Sequence, residues 1–423
     1  MKVLLINNCH YRRGGADVVY LNTGELLMQK GHEVVYFSTN SARNECSQYS
    51  DYFIDDIDAL KLSFKEQLVN TPRKLYSFEA KRKLDKLIHF TKPDIAHIHL
   101  YKGGLTASIL PVLRKNKIPV VITLHDYSLL CPRNIMLDGN DEICERCLYS
   151  PTLNCVIRRC NRKNLFYSII NFIEYEINNK IFKPQKYFNT IICVCKFNYE
   201  KHLIKRRLNG RLVQMYNFSP GAKNLIPDHL KGEYFLYYGR LSTEKGIKTL
   251  VKAWKRLDGR YKLKIAGDGR LHKELEKEIH DHKEGNIELL GYRTREELAG
   301  ITSKASFVIV PSECYENNPM TIIEAYSMGK PVIGSNVGGI PEILNDKESG
   351  FLFEMKNVDD LISTVRHAYS VTGKEYESLS RAAWRFANEN FSEESHYSHL
   401  LKIYTGAINN AKQHAEEQII PEI

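Results

Sequence analysis

No stretch of this 423-residue chain approaches the roughly 18 consecutive apolar residues that a membrane-spanning helix requires. The opening Met1-Lys-Val-Leu-Leu-Ile-Asn-Asn has only a short apolar core and no small-residue cleavage site, so it is not expected to act as a signal peptide. Ten cysteines without a secretion signal argue against a disulfide framework. The full G-x-G-x-x-G fingerprint is absent, which leaves a dehydrogenase poorly supported. No recognised nucleic-acid motif is present, and nucleic acid is not an expected partner. Acidic excess is lacking too: sixty Lys and Arg against fifty Asp and Glu leave a net charge of +10. Hydrophobic residues at 43% and charged residues at 26% exclude a disordered or collagenous chain. The expectation is a cytoplasmic protein of two or three domains with an anionic ligand or surface.

What is there is an alternation. Lys2 to Ile6 is a short apolar run, followed by the glycine-bearing Asn7 to Gly15 and a helical spacing from Ala16 that ends at Gly31. His32 to Ser38 reads as a second strand, and Pro93–His99, Pro119–His125 and Ile191–Val194 as further ones. The pattern restarts at Tyr234–Gly239 and continues through Lys262–Gly267, Ile287–Gly291, Ser306–Val310 and Pro331–Gly334. Strands alternating with helices predict parallel sheets with right-handed crossovers, hence two doubly wound α/β domains. The boundaries predicted are 1–218 for the first domain, with a cysteine-rich insert at 131–160, and 219–392 for the second. A last helix lies within 393–423. Ser219 to Gly232, with its prolines and glycines, reads as the linker. Open parallel sheets bind ligands at the carboxyl ends of their strands, so two facing domains imply a cleft.

The chemistry concentrates where strands turn into helices. In Pro311-Ser-Glu-Cys-Tyr-Glu-Asn-Asn-Pro-Met-Thr-Ile-Ile-Glu, Asn318 fits the N-cap and Pro319 the first helical position. Glu316 then sits on the loop and Glu324 inside the helix; two carboxylates in one cleft suit vicinal hydroxyls. Amides around Asn317, Asn318 and Met320 suit a phosphate or sugar oxygen. Arg240 and Lys245, after a strand and before a helix, are placed to converge on a diphosphate. Gly267 in Ala266-Gly-Asp-Gly permits close backbone approach, and Tyr292 closes another strand after Gly291. Gly14-Gly15 precedes the first helix. His125-Asp126 ends a buried-looking strand and should face the cleft, whereas His97 and His99 read as structural. Asp56-Ile-Asp58 lies in an acidic stretch without strand support and reads as solvated surface, so no catalytic metal is indicated. Cys131, Cys144, Cys147 and Cys160 have a knuckle pair at their centre, leaving a structural four-thiolate zinc site and buried, redox-inert thiols as the two readings.

Taken together, these residues resemble the retaining glycosyltransferases of family 4, which have the GT-B fold of two facing Rossmann-like domains. The resemblance runs through nearly the whole chain: Gly14-Gly15, Gly31-His-Glu-Val, Pro93-Asp-Ile-Ala-His-Ile-His, His125-Asp126, Gly239-Arg240, Lys245-Gly246, Gly267-Asp-Gly, the pair Glu316 and Glu324, Gly329-Lys-Pro-Val and Gly338-Gly-Ile-Pro-Glu342. It implies transfer of a sugar from a UDP- or GDP-sugar with retained configuration. By that resemblance Arg240 and Lys245 neutralise the donor diphosphate, approached from the other domain by Gly14-Gly15. Glu324 binds the ribose, the backbone near Tyr292 meets the base, and Glu316 with the amides of 317–320 holds the sugar. His125 contacts that sugar near the reacting carbon. The final helix often crosses back onto the first domain, and some relatives carry a cysteine cluster after the His-Asp pair. Asn317-Asn-Pro-Met320 departs from the usual glycine-rich loop, and Pro319 lacks an amide to donate.

Acceptor recognition in such a fold falls to the first domain. There Arg158, Arg159, Arg162, Lys163, Lys180, Lys183 and Lys186 flank an apolar helical stretch from Leu165 to Ile173, and Lys205, Arg206, Arg207 and Arg211 follow. Two readings stand: a surface for an anionic membrane face or a polyprenyl-diphosphate-linked acceptor, and a core helix with solvated basic ends. The expected process is surface polysaccharide or glycolipid assembly, acting on a saccharide or lipid-linked acceptor. A GT-B sugar-nucleotide epimerase and a non-catalytic nucleotide-sugar-binding protein are the alternatives, and the carboxylate pair favours transfer.

Overall fold

The computed structural model describes residues 1–55, 72–161, 163–205, 208–220, 227, 229–282 and 285–417. The Asp56–Asp58 stretch, Arg162, Arg206, Arg207 and much of the linker (221–226 and 228) lie outside the described residues. In the first domain β1 (Lys2–Ile6), α1 (Gly15–Gln29), β2 (Glu33–Phe37), α2 (Phe78–Thr91), β3 (Ile95–Ile98), α3 (Ile109–Lys115) and β4 (Val120–Leu124) alternate. An insert then carries α4 (Leu165–Glu176), and β5 (Thr190–Cys193), α5 (Lys196–Leu203) and β6 (Leu212–Gln214) complete the sheet. Its six strands run β2-β1-β3-β4-β5-β6, all parallel.

The second domain comprises β7 (Tyr234–Tyr238), α6 (Ile247–Trp254), β8 (Leu263–Ala266), α7 (His272–His280), β9 (Ile287–Gly291), α8 (Arg295–Ser303) and β10 (Ala305–Val310). It continues with α9 (Met320–Ser327), β11 (Val332–Ser335), β12 (Gly350–Phe353), α10 (Val358–Ser370) and α11 (Gly373–Asn390). Its parallel sheet runs β9-β8-β7-β10-β11-β12, which reverses direction between β7 and β10. That switch point opens a crevice between the loops leaving β7 and β10, and the loops carrying Arg240 and Glu316 leave those two strands.

Sheets covered on both faces need strands that are apolar on both faces, and the sequence supplies them. Val3 to Ile6 and Phe307 to Ile309 are fully buried. Helix ends carry local signals: Ser77 accepts from the Ala80 amide at the start of α2, and Thr294 and Glu297 form a capping box on α8. The last helix, α12 (Glu393–Glu417), returns to the first domain. Its Leu400, Tyr404 and Ala407 pack with Val3, Leu5, Tyr20 and Ile95, and the buried Tyr404 hydroxyl bonds His97 Nδ1 at 2.7 Å. Burying Leu400 and Tyr404 contributes about 2 kcal/mol each, so the helix straps the two domains together.

Candidate active site

Between the domains lies a cleft of about 590 Å³, the size of a small-molecule site. All twelve residues singled out for catalysis or donor binding line it: Gly14, Gly15, His125, Arg240, Lys245, Gly267, Tyr292, Glu316, Asn317, Asn318, Met320 and Glu324. Arg13, Tyr238, Ser312 and Asn217 line it too, without any local sequence signal.

From the first domain, Gly14 enters α1 with extended backbone. A Cβ there would stand 3.6 Å from the Arg240 guanidinium, and one on Gly15 3.6 Å from Met320 Cγ. The amino end of α1 thus faces the second domain almost in contact. Asp17, in its first turn, accepts from Asn7 Nδ2 at 2.8 Å. Burial raises its carboxyl above the usual range, against the lowering effects of Asn7, Arg13 and Arg240.

In the second domain the turn after β7 is built around Gly246. Its φ of +69° and a Pro311 carbonyl only 1.7 Å from where a Cβ would sit require glycine. This close approach brings Lys245 to Glu316: Nζ donates to Oε1 at 2.5 Å, and Ser312 Oγ donates to the same oxygen at 2.6 Å. Burial alone would raise the Glu316 carboxyl, but Lys245, Ser312 and Arg240 together hold it below the carboxylate range. Arg240 remains largely exposed, 3.9 Å from Glu244.

Glu324 differs. One turn into α9, it is pushed up to about 7 by burial, with only the charge of Arg295 and a hydrogen bond with Tyr238 opposing. One cleft carboxylate is therefore neutralised by a lysine and the other is poised near neutrality. Tyr292, 71% exposed, stands at the mouth.

Two corrections to the sequence reading follow. The helix begins one residue later than expected, with Pro319 as N-cap and Met320 first, and no side chain caps it. The reason is that Asn318 is engaged across the domain boundary, where its Oδ1 accepts from the Asn217 amide at 2.8 Å. Asn317 likewise donates to the His125 carbonyl at 2.9 Å and accepts from Asn198 Nδ2 at 2.9 Å. Both asparagine side chains therefore clasp the first domain, while Asn318 Nδ2 keeps no partner. Second, His99 is not merely structural. Its Nδ1 lies 2.9 Å from His125 Nε2, with the rings stacked. Burial lowers His125 to about 3 and His99 well below its usual value, so both rings are neutral. His99 Nε2 has no partner. An orphaned N–H costs more than an orphaned lone pair, so the proton is assigned to Nδ1 and His99 donates to His125.

The cysteines of the insert lie together. Cys147 lies close to Cys131, Cys144 and Cys160, the other thiols of the zinc reading, and burial pushes Cys131 up to about 11 and Cys147 up to about 12. Cys160 pairs with Cys155, the cysteine left out of the zinc reading, through a side-chain hydrogen bond. All ten thiols are free, and among the described residues no group of three or more His, Cys, Asp or Glu is placed to hold a metal ion.

Glu342, read from the sequence only as part of a motif, turns out to bridge the domains. Its carboxylate accepts from the Lys196 and Phe197 amides at 2.8 and 3.2 Å and from Tyr216 Oη at 2.6 Å, so it caps α5 from the other domain. Its position after Gly338-Gly-Ile-Pro was legible as a motif; its partner was not.

Two facing parallel-sheet domains, joined by a returning helix around a cleft of cations and carboxylates, define the GT-B class. Family profiles agree: residues 13–149 match Glycosyltransferase Family 4 and residues 222–385 match Glycosyl transferases group 1. The N-acetyl-alpha-D-glucosaminyl L-malate synthase of Bacillus anthracis is 22% identical over 97% of this chain and 99% of its own. An uncharacterized glycosyltransferase of Methanocaldococcus jannaschii is 35% identical over 40% of this chain, a match spanning 47% of that protein. Anabaena HepE, solved with UDP and glucose, superposes with a TM-score of 0.62 at 15% identity, covering 96% of this chain and 99% of its own. The chain belongs to the group 1 glycosyltransferases, and it is a transferase.

Proposed function

We propose that this protein moves a hexose from a uridine-diphosphate sugar to a saccharide or polyprenyl-diphosphate-linked acceptor, with retention, in surface polysaccharide or glycolipid assembly. The observation that carries the reading is the cleft's charge plan. An exposed Arg240 and a lysine–carboxylate pair stand at the amino end of α1, and the half-neutral Glu324 stands one side of them. A nucleoside diphosphate fits that plan, its phosphates between Arg240, Lys245 and the α1 amides, its ribose hydroxyls donating to Glu324. Uridine is favoured over guanosine because HepE, of the same fold, was solved with UDP. The surface-glycan setting is favoured by a further relative, a lipopolysaccharide 1,2-N-acetylglucosaminetransferase of Salmonella typhimurium, 29% identical over 45% of this chain.

In this mechanism the C1–O bond to the diphosphate breaks as the acceptor oxygen forms its bond to C1 on the same face. The acceptor proton passes to the departing phosphate oxygen. Arg240 and Lys245 stabilise the charge growing on that phosphate, a preorganised electrostatic effect. Glu316, held ionised, accepts from hydroxyls of the sugar, and His125 lies beside the reacting carbon with its ring fixed by His99.

The test is Glu316→Gln, assayed for transfer from UDP-sugars and for UDP affinity by calorimetry. Transfer should be lost while UDP affinity stays within about threefold. A variant that transfers at the wild-type rate would remove Glu316 from the mechanism. GDP and ADP binding as tightly as UDP would overturn the donor assignment.

A further inference from the structure

The insert helix α4 is turned inside out. Ser168 and Tyr175 are its only fully buried residues, while Leu165, Ile169 and Ile173, spaced at i, i+4 and i+8, form one exposed stripe. Ile157, on the short helix packed against α4, and Ile181, in the turn that continues it, are 71% and 69% exposed and extend the apolar surface. Arg159 and Lys163 stand exposed at one end of the stripe, Lys183 and Lys186 at the other. Between 146 and 190 there are eight Lys and Arg but only two carboxylates. Neither carboxylate is exposed: Glu174 is enclosed and Glu176 bonds Lys180. The helix is anchored on the loop that follows β4, where Tyr175 Oη donates to the Leu129 carbonyl at 3.1 Å. It therefore sits at the same end of the first sheet as His125.

We propose that this face docks the protein on an anionic lipid bilayer, with the apolar stripe entering the headgroup boundary and the lysines meeting anionic headgroups. Charge complementarity selects the occupant: a second copy would bring two sets of cations together, whereas an anionic leaflet is attracted to both ends at once. The proposal deepens the lipid-linked side of the acceptor reading by bringing the cleft to the surface where such an acceptor resides. It makes no use of the donor assignment, so either can fail alone.

Flotation of the full chain with phosphatidylcholine vesicles, with and without 30 mol% phosphatidylglycerol, tests it. Binding is expected to the anionic vesicles and to weaken in high salt. The double variant Ile169→Ser/Ile173→Ser and the double variant Lys163→Glu/Lys183→Glu should each lower partitioning at least about tenfold, since each cation near such a surface is worth about fivefold. Both should keep wild-type UDP affinity and melting temperature, which separates this result from the donor assay. Equal binding to neutral vesicles, or unchanged binding by either variant, would overturn the proposal. So would a dimer in light scattering that Ile169→Ser/Ile173→Ser disperses while vesicle binding is absent.

Discussion

Glu324→Gln should stabilise the donor-free protein while weakening its hold on the donor. Burial raises the Glu324 carboxyl from 4.5 to about 7. A raised folded value means that the folded state binds more protons than the unfolded chain between pH 4.5 and 7. The stability from the neutral acid is complete below the lower value and lost as pH rises through the upper. A shift of that size corresponds to about 3 kcal/mol for a fully enclosed group, and the open cleft reduces this to about 1–2 kcal/mol. Glutamine, which never ionises, escapes the loss. Its melting temperature should match wild type at pH 5 and exceed it by about 2–6 °C at pH 8. Donor binding is expected to run the other way, because in the proposed reading the ionised carboxylate accepts from the ribose diol. Wild-type affinity for a UDP-sugar should be about tenfold weaker at pH 6 than at pH 8, as the ionised fraction falls about tenfold. Calorimetry at both values should find that dependence gone in the variant. A variant less stable at pH 8, or an advantage the same at pH 5 and pH 8, would refute the idea that burial outweighs Tyr238 and Arg295 at Glu324.

Three further outcomes are expected. Arg240→Ala should weaken UDP binding by about 10- to 100-fold in calorimetry, the worth of charge-assisted bonds, with thermal stability nearly unchanged because the side chain is exposed. Gly246→Ala should destabilise the second domain by more than about 3 kcal/mol, since its methyl group would meet the Pro311 carbonyl in a left-handed backbone; a wild-type melting curve would contradict this. His99→Leu should cut kcat about tenfold or more with little change in donor affinity, because His125 loses the bond that sets its ring; His99→Asn, which keeps a donor near the Nδ1 position, should recover part of the rate.

The strands were legible because parallel sheets buried on both faces require continuous apolar runs, and β1, β4, β7 and β10 are such runs. β6, only three residues long, and β12, an edge strand opening on Gly350, carry too little pattern and were not expected. The loop glycines and the two glutamates were legible because a close approach at a switch point restricts residue type. What stayed hidden was every contact made across the cleft. Asn317, Asn318 and Glu342 read as donor contacts or motif letters, but their partners lie more than a hundred residues away. His99 alternates with His97 as any strand pair does, and only the fold sets it against His125. The meeting of Cys155 with Cys160 was hidden for the same reason, because the packing of the insert sets it and no local spacing does.

The polar character of the clasp explains how a donor enters a cleft so nearly closed. Asn317, Asn318 and Glu342 hold the domains mainly by hydrogen bonds to backbone groups, and Tyr315 Oη donates to Glu145 of the insert at 2.7 Å. Each such bond contributes about 1 kcal/mol net and exchanges readily for water, while the Tyr315 ring, 4.7 Å from that of Phe197, adds an apolar contact across the boundary. The returning helix α12 keeps the domains in register meanwhile. Closure sets the positive end of α1 within contact distance of the Arg240 guanidinium, an arrangement that repels itself, and Asp17 offsets it only in part because burial raises its carboxyl. On the donor reading proposed above, a diphosphate between them is attracted by both and favours the closed form. Glu342→Gln, which weakens the clasp, is then expected to lower UDP affinity in calorimetry without touching a single donor contact.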